Sequence, residues 1–291
     1  MSNKKYRIHK IKIGPNIISW YEWGERDDNF PSIFLVHATG FHGRCWEQVV
    51  QLLPDRHIVA IDMRGHGQSE NYGPFTWNVF GDDIIEFLTR LDMQNLLGVG
   101  HSLGGYALTH ALSEAQSRFV RALLIDPVIM DPRIYFQGVA KHDKFLNKDG
   151  QHPVERRRNE FADKEDMFNS LVGKGGFAQW TDASLRDYCR YGLVKASDGY
   201  ELACSPKIEA AIYMGSTTMN IIDMIGKIDL PVTVLRAEER VGKLDKIDFS
   251  KSPTWPEIAQ HFPQGKDVYL PEKSHMMPMQ DPVLIAEYIL S

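Results

Sequence analysis

The chain has 291 residues, 43% hydrophobic and 24% charged, with 33 Lys plus Arg against 38 Asp plus Glu for a formal net charge of −5. These are ordinary globular values, which exclude a wholly disordered chain, and the mildly acidic balance excludes a dedicated nucleic-acid binder with its basic patch or stripe. A chain this long buries roughly 75% of the surface it exposes when unfolded, so it needs no disulfide or metal staple.

The N-terminus, Met1 to Lys12, is basic, but Lys10, Lys12 and Pro15 interrupt any apolar h-region, so no signal peptide is expected. No apolar run approaches the ~20 residues that span a bilayer, and no membrane partner is expected. Cys45, Cys189 and Cys204 are odd in number and form no CxxC pair. That pattern fits a reduced compartment, so the expected location is cytoplasmic.

Tyr6 to Ile13 alternates apolar and polar residues and reads as a strand, Gly14-Pro15-Asn16 as a turn and Ile17 to Trp23 as a second strand. Ser32 to Val36 is a short apolar run between polar turns, the pattern of a fully buried strand, and His57 to Ile61 repeats it. Trp77 to Leu91 has helical spacing, Leu96 to Val99 is strand-like, Leu103 to Ala115 helical, and Ala122 to Ile125 another buried strand. Strand and helix thus alternate from 32 to 125, which predicts a parallel sheet with crossover helices. From Asp131 to about Asp223 the pattern changes to charge and scattered aromatics, among them Tyr135, Phe136, Phe145, Phe161, Phe168, Phe177, Trp180, Tyr188, Tyr191 and Tyr200. This segment reads as several short helices. Strand character returns at Val232 to Leu235; Thr254 to Phe262 reads as a helix, Asp267 to Leu270 as a strand and Pro282 to Leu290 as a helix. An α/β sheet is therefore interrupted by an insertion and then resumes.

Gly100-His101-Ser102-Leu103-Gly104 satisfies GxSxG. It follows an apolar strand and opens a helix, the setting that a nucleophile elbow requires. The turn is tight, so side chains at 100 and 104 would collide with neighbouring backbone. The Leu103 N–H at the helix start would face a developing oxyanion.

With these residues the sequence resembles the α/β-hydrolase superfamily over 17 to 126 and 230 to 290. His37-Ala38-Thr39-Gly40-Phe41 looks like the family's His-Gly-x-x-Gly segment, and Asp62-Met63-Arg64-Gly65-His66-Gly67-Gln68-Ser69 is similar to its D-x-R-G-x-G-x-S loop. Ser274-His275 with Asp281-Pro282 resembles the histidine loop and the helix after it. Among its branches the sequence looks most like cytosolic esterase- and lactonase-like hydrolases with a helical cap. The resemblance implies an α/β-hydrolase fold: a mostly parallel eight-stranded sheet flanked by helices. Residues 1–130 and 224–291 would form the core, and 131–223 a helical cap, or lid, inserted after the sixth strand.

A serine hydroxyl needs a neighbouring base and a group that orients the base. The family order of nucleophile, acid and histidine puts Ser102 and His275 at the two ends. His275, of eleven histidines, alone follows a late strand by a short loop. The acid has two candidate places. The family's usual Asp after the seventh strand aligns with Arg240, leaving Glu239 or Glu238 beside it. A minority of the family carries the acid after the sixth strand, where this chain has Asp126, the preferred candidate. Leu103 and Thr39 would supply the oxyanion N–H groups; Ala38 replaces the usual Gly, which leaves Gly40 and Phe41 as alternative donors to Thr39. Phe41, His101 and Met276 are candidate substrate-binding residues, and His42 could line the pocket. Most cap aromatics are expected to be the cap's own core, Glu155 to Arg158 a solvated helix face, and Trp46 and Trp77 packing residues.

The implied activity is a cofactor-free, metal-free serine hydrolase acting on a small-molecule carboxylic ester or lactone through an acyl-enzyme. C–C bond hydrolysis, amide hydrolysis and perhydrolysis use the same triad. A ligand receptor of the same fold, or a scaffold with a decayed site, is a competing class, and a homodimer is compatible with either.

Overall fold

The computed structural model describes residues 4–133, 146–148, 150–216, 221–239 and 250–291. In chain order it begins with β1 (Tyr6–Ile13), β2 (Asn16–Trp23) and β3 (Ser32–Val36), then α1 (Glu47–Leu52) and β4 (Ile58–Ile61). Next come α2 (Trp77–Arg90), β5 (Leu96–His101), α3 (Leu103–Ala115) and β6 (Phe119–Ile125). The following segment holds β7 (Glu160–Phe161), α4 (Lys164–Leu171), α5 (Asp182–Tyr191), β8 (Leu193–Lys195), β9 (Tyr200–Leu202), α6 (Pro206–Met214) and α7 (Ile222–Ile225). The chain closes with β10 (Val232–Arg236), β11 (Gly265–Tyr269), α8 (Met277–Gln280) and α9 (Pro282–Leu290).

The expected eight-stranded sheet is present, in the order β1-β2-β4-β3-β5-β6-β10-β11. β1–β2 and β2–β4 pair antiparallel; every other neighbouring pair is parallel. Alternation of side chains splits the strands between two cores. Phe34, Val36, Ile61 and Leu124 pack with α2 and α3 on one face, whereas Ile33, Leu35, Ala60 and Leu123 pack with α1 and α9 on the other. Burial on both faces is why β3, β4 and β5 read as unbroken apolar runs. On α2 the buried Trp77, Phe80, Ile84, Phe87 and Leu88 recur at three and four residues, one stripe turned to the sheet.

Two expectations change. Thr254 to Phe262 is not a helix; its one regular piece is a 3₁₀ turn over Ile258–His261. Trp255, Ile258, Ala259 and Phe262 are buried at helical spacing, so the periodicity reports burial rather than helix length. The segment between β6 and β10 contains a small antiparallel sheet, β7-β9-β8, as well as short helices. Its strands have two or three residues, too few for an alternation to show in the sequence. Tyr135, Phe136 and Phe145 lie outside the described residues. No helix among the described residues is long and apolar enough to cross a membrane.

The parallel strands all end at one edge of the sheet. The turns after β3, β5, β6 and β10 therefore converge, the crevice where open α/β sheets place their ligands. Close approach of backbone sets up this edge. A Cβ on Gly104 would lie 2.5 Å from the His37 carbonyl oxygen, and one on Gly100 would lie 2.5 Å from the Gly104 carbonyl. Backbone cannot step aside as a side chain can. Gly104→Ala is expected to lower stability by about 2–3 kcal/mol, read from urea denaturation; an unchanged midpoint would show that α3 does not seat against β3 as described.

Candidate active site

Ser102 occupies the turn between β5 and α3 with φ 57 and ψ −119. Such a conformation costs a non-glycine residue free energy and persists only where its surroundings hold it. Here the Ser102 N–H donates to Ile125 O at 3.1 Å, and its carbonyl accepts from Tyr106 N at 3.1 Å and Val128 N at 3.2 Å. The neighbouring strand and the new helix thus fix the turn from both sides, and the hydroxyl faces a cavity.

His275 follows β11 in a loop. Its Nε2 lies 3.0 Å from Ser102 Oγ and its Nδ1 2.6 Å from Asp126 Oδ2. An ionised carboxylate only accepts, so Nδ1–H donates to Asp126 and Nε2 is left to accept from the serine. The loop is fixed by its backbone: His275 N donates to Ser250 O and His275 O accepts from His101 Nε2, both at 2.8 Å.

Asp126 ends β6 at φ 44 and has no exposed surface. Its Oδ1 accepts from Ala237 N at 3.0 Å, Ser252 Oγ at 2.5 Å and Thr254 Oγ1 at 3.1 Å. Burial alone would push this carboxyl up. The bond and charge of His275, with the Ser252 and Ala237 donors, outweigh burial and hold it below the usual Asp range. Glu239 sits elsewhere, its carboxylate 3.1 Å from Arg236 Nη1 and about half exposed, while Glu238 pairs with Lys251. Arg240 lies outside the described residues.

The turn after β3 is tied down donor by donor. Gly40 N–H donates to His66 Nε2 at 3.0 Å and Phe41 N–H to Ala38 O at 3.2 Å. Thr39 N–H and Leu103 N–H have no hydrogen-bond partner among the described residues. His37 and His66 act as struts: His37 Nε2 accepts from Met63 N at 3.0 Å, and His66 Nδ1 donates to Arg64 O at 3.0 Å.

Over Ser102 lies a cavity of about 320 Å³. Thr39, Phe41, Met276 and His275 line it, and so do residues from the segment between β6 and β10, including Phe177, Trp180 and Tyr213. His101, expected to bind substrate, is not among the lining residues. It is buried behind the histidine loop, spending Nε2 on the His275 carbonyl. His42 is likewise buried, 3.2 Å from Tyr188 O, and does not line the cavity. Two lining residues do more than the sequence suggested. Trp77 is not only packing: it lines the cavity and donates Nε1–H to Ile212 O at 2.7 Å. Arg157, expected on a solvated face, turns inward to Glu209, with Nη1 2.8 Å from Oε2. No local signal marks that pair, because its partners are far apart in sequence. Phe161, Phe168 and Tyr188 are buried in a cluster that also takes in Ala38, Phe41, Cys45 and Met279 from outside the segment, so these aromatics do not form a core of the segment alone. Among the described residues no group of three or more His, Cys, Asp and Glu side chains is placed to hold a metal ion.

Comparison with known proteins shows the family. The model of the alpha/beta hydrolase family matches residues 33–288. Lipase LipV of Mycobacterium tuberculosis is 28% identical over 97 residues, 33% of this chain and 37% of that protein. The matches span about a third of the length of the curated relatives. E-2-(acetamidomethylene)succinate hydrolase superposes with a TM-score of 0.75 at 18% identity, covering 98% of both chains. The thioesterase domain from the curacin biosynthetic pathway gives 0.74 at 18% identity, covering 98% of this chain and 99% of that one.

The buried histidines give the fold a defined pH response. Burial, their first cause, pushes His42 and His66 down to about 4, His101 to about 3, and His37 well below its ordinary value. In the unfolded chain each titrates near 6.5. Below that pH the unfolded state binds more protons, so stability is lost as the pH falls. Asp62, pushed up to about 6 by burial, acts the opposite way, as do Glu47, Asp83, Asp187 and Glu209, which burial also raises; the histidines set the direction where unfolded histidine takes up its proton, above about pH 6. The melting temperature is expected to fall from about pH 7 to pH 6, where unfolded histidine takes up most of its protons; a flat or rising curve there would contradict neutral, buried histidines at these positions.

Proposed function

The chain belongs to the alpha/beta hydrolase family, and on that premise we propose that it is a serine hydrolase of small or medium carboxylic esters or lactones. The observation that carries the reading is the continuous hydrogen-bonded line from Ser102 Oγ through His275 to Asp126, at 3.0 and 2.6 Å.

Each group has a role that its surroundings support. Ser102 Oγ attacks the substrate carbonyl as His275 Nε2 takes its proton. Asp126 keeps His275 in the required tautomer and stabilises the imidazolium, which a buried carboxylate held in its ionised form can do. The Thr39 and Leu103 N–H groups donate to the oxyanion; Gly40 and Phe41 have already spent theirs on His66 and Ala38. His275 then returns the proton to the leaving alcohol, leaving an acyl-serine. Water attacks that ester with His275 again as base, and the acid product departs as Ser102 regains its proton. Every proton and bond change is carried by these side chains, backbone donors and water.

The cavity supports a compact substrate with an apolar acyl or alcohol portion, packed against Phe41, Trp77, Trp180 and Met276. In this reading residues 131–223 form the lid and 1–130 with 224–291 the catalytic core. A small molecule enters under the lid.

p-Nitrophenyl acetate and butyrate test the reading. Wild type is expected to turn over at least one of them and to be labelled by a fluorophosphonate, with both signals lost in Ser102→Ala. Turnover that survives Ser102→Ala would refute the assignment of the nucleophile. For the acid, Asp126→Asn is expected to lower kcat by roughly 10³–10⁴-fold, and Glu239→Gln by no more than about threefold, the scale of an exposed ion pair. The reverse order would transfer the role to Glu239.

A further inference from the structure

We propose that Arg157, Glu209 and Tyr188 form a positioning cluster that holds the oxyanion turn from the lid side, so that lid and oxyanion hole are set together. This inference rests on the serine-hydrolase reading and deepens it.

Gly40, next to Thr39, has φ 77, a left-handed conformation that other residues rarely adopt. Three elements enclose it. From the core, His66 Nε2 takes its N–H at 3.0 Å. Toward the lid, Tyr188 Oη donates to its carbonyl at 3.5 Å. On its open Cα face sits the Glu209 carboxylate, where a Cβ would come within 2.8 Å of Oε1. The carboxylate occupies the space that any other side chain at position 40 would need.

Glu209 is itself 5% exposed. A buried carboxylate wanders or protonates unless something fixes it. Arg157 supplies that: Nη1 lies 2.8 Å from Glu209 Oε2, and Nη2 donates to Tyr188 Oη. The hydroxyl accepts from arginine and so has its own proton for the Gly40 carbonyl. One guanidinium therefore fixes both groups that touch the oxyanion turn. Glu209 and Tyr188 belong to α6 and α5, and Arg157 to the segment before β7; all three lie between β6 and β10 in the chain.

Stability gives little reason for this arrangement. Replacing a buried ion pair by apolar side chains of similar volume is often neutral or stabilising. Positioning gives a reason. The cluster holds the Gly40 Cα and the carbonyl of the Gly40–Phe41 peptide, and the Thr39 N–H, in the Ala38–Thr39 peptide just before, must point at a spot that only the transition state fills. A displacement of about 1 Å in such a donor can cost on the order of 100-fold in rate. The cluster is thus expected to act on kcat and to leave ground-state binding nearly unchanged.

The test uses the full chain with p-nitrophenyl butyrate or acetate, whichever wild type hydrolyses. The double variant Arg157→Met/Glu209→Leu removes both charges without stranding either. It is expected to melt within about 4 °C of wild type, with kcat down about 10- to 100-fold and KM within about threefold. Tyr188→Phe keeps the ring and removes only the hydroxyl, so it remains informative if the double variant does not fold. Its kcat is expected to fall about three- to tenfold at unchanged KM, the scale of one weakened hydrogen bond. Unchanged kcat in the folded variants, or a rise confined to KM, would overturn the proposal. Wild type without Ser102-dependent turnover would instead refute the hydrolase reading, so the two failures are distinguishable.

Discussion

A charged carboxylate with no exposed surface is the constraint around which the catalytic edge is built. Removing such a group from water is costly unless every lone pair finds a donor. Asp126 finds four, from His275, Ala237, Ser252 and Thr254. Those residues come from the histidine loop, the end of β10 and the turn that follows 250. Satisfying one carboxylate therefore pins three separate stretches of chain against the end of β6. His275, the base of the proposed mechanism, is oriented by the same bond that relieves the buried charge, and breaking one side of such a pair typically costs about 3–5 kcal/mol. Stability and function share that contact.

At the oxyanion turn the same logic recurs on a smaller scale. Arg157 and Glu209 are also charges withdrawn from water, and they too meet a turn whose backbone donors count for chemistry. The aromatic wall of Phe41 and Trp180 is backed by Tyr188, the three rings in edge-to-face contact at 5.4 to 5.6 Å between centroids. A low-dielectric cavity with fixed donors at one end strengthens every electrostatic interaction with a developing oxyanion. In the proposed mechanism the segment between β6 and β10 thus adds to the electrostatics of the site as well as to its walls.

The sequence disclosed the sheet because its strands are buried on both faces, and burial writes itself as continuous apolar runs at Ser32–Val36 and Ile58–Ile61. It disclosed the elbow because glycine is required where backbone meets backbone, at 100 and 104. It was ambiguous about the acid, since a carboxylate at a strand end looks alike whether it faces a histidine or solvent. The two differ in the structure by their partners, Glu239 pairing with Arg236 and Asp126 with His275, which is what favours Asp126 in the proposed mechanism. Arg157 was misread for a related reason. A run of charges is locally indistinguishable from a solvated face, and its burial depends on a glutamate in another helix. His101 was misassigned because proximity to the nucleophile in sequence says nothing about which way a ring turns. The helix expected over Thr254–Phe262 shows that burial periodicity and helical backbone are separable.

A crystal structure of the fluorophosphonate adduct tests the central claim most directly, because it shows the nucleophile and the oxyanion donors at once. The account predicts phosphorus bonded to Ser102 Oγ and its phosphoryl oxygen about 2.7–3.1 Å from both the Thr39 and the Leu103 nitrogen. Phosphorus on another side chain would contradict it, as would a phosphoryl oxygen turned away from both of those N–H groups.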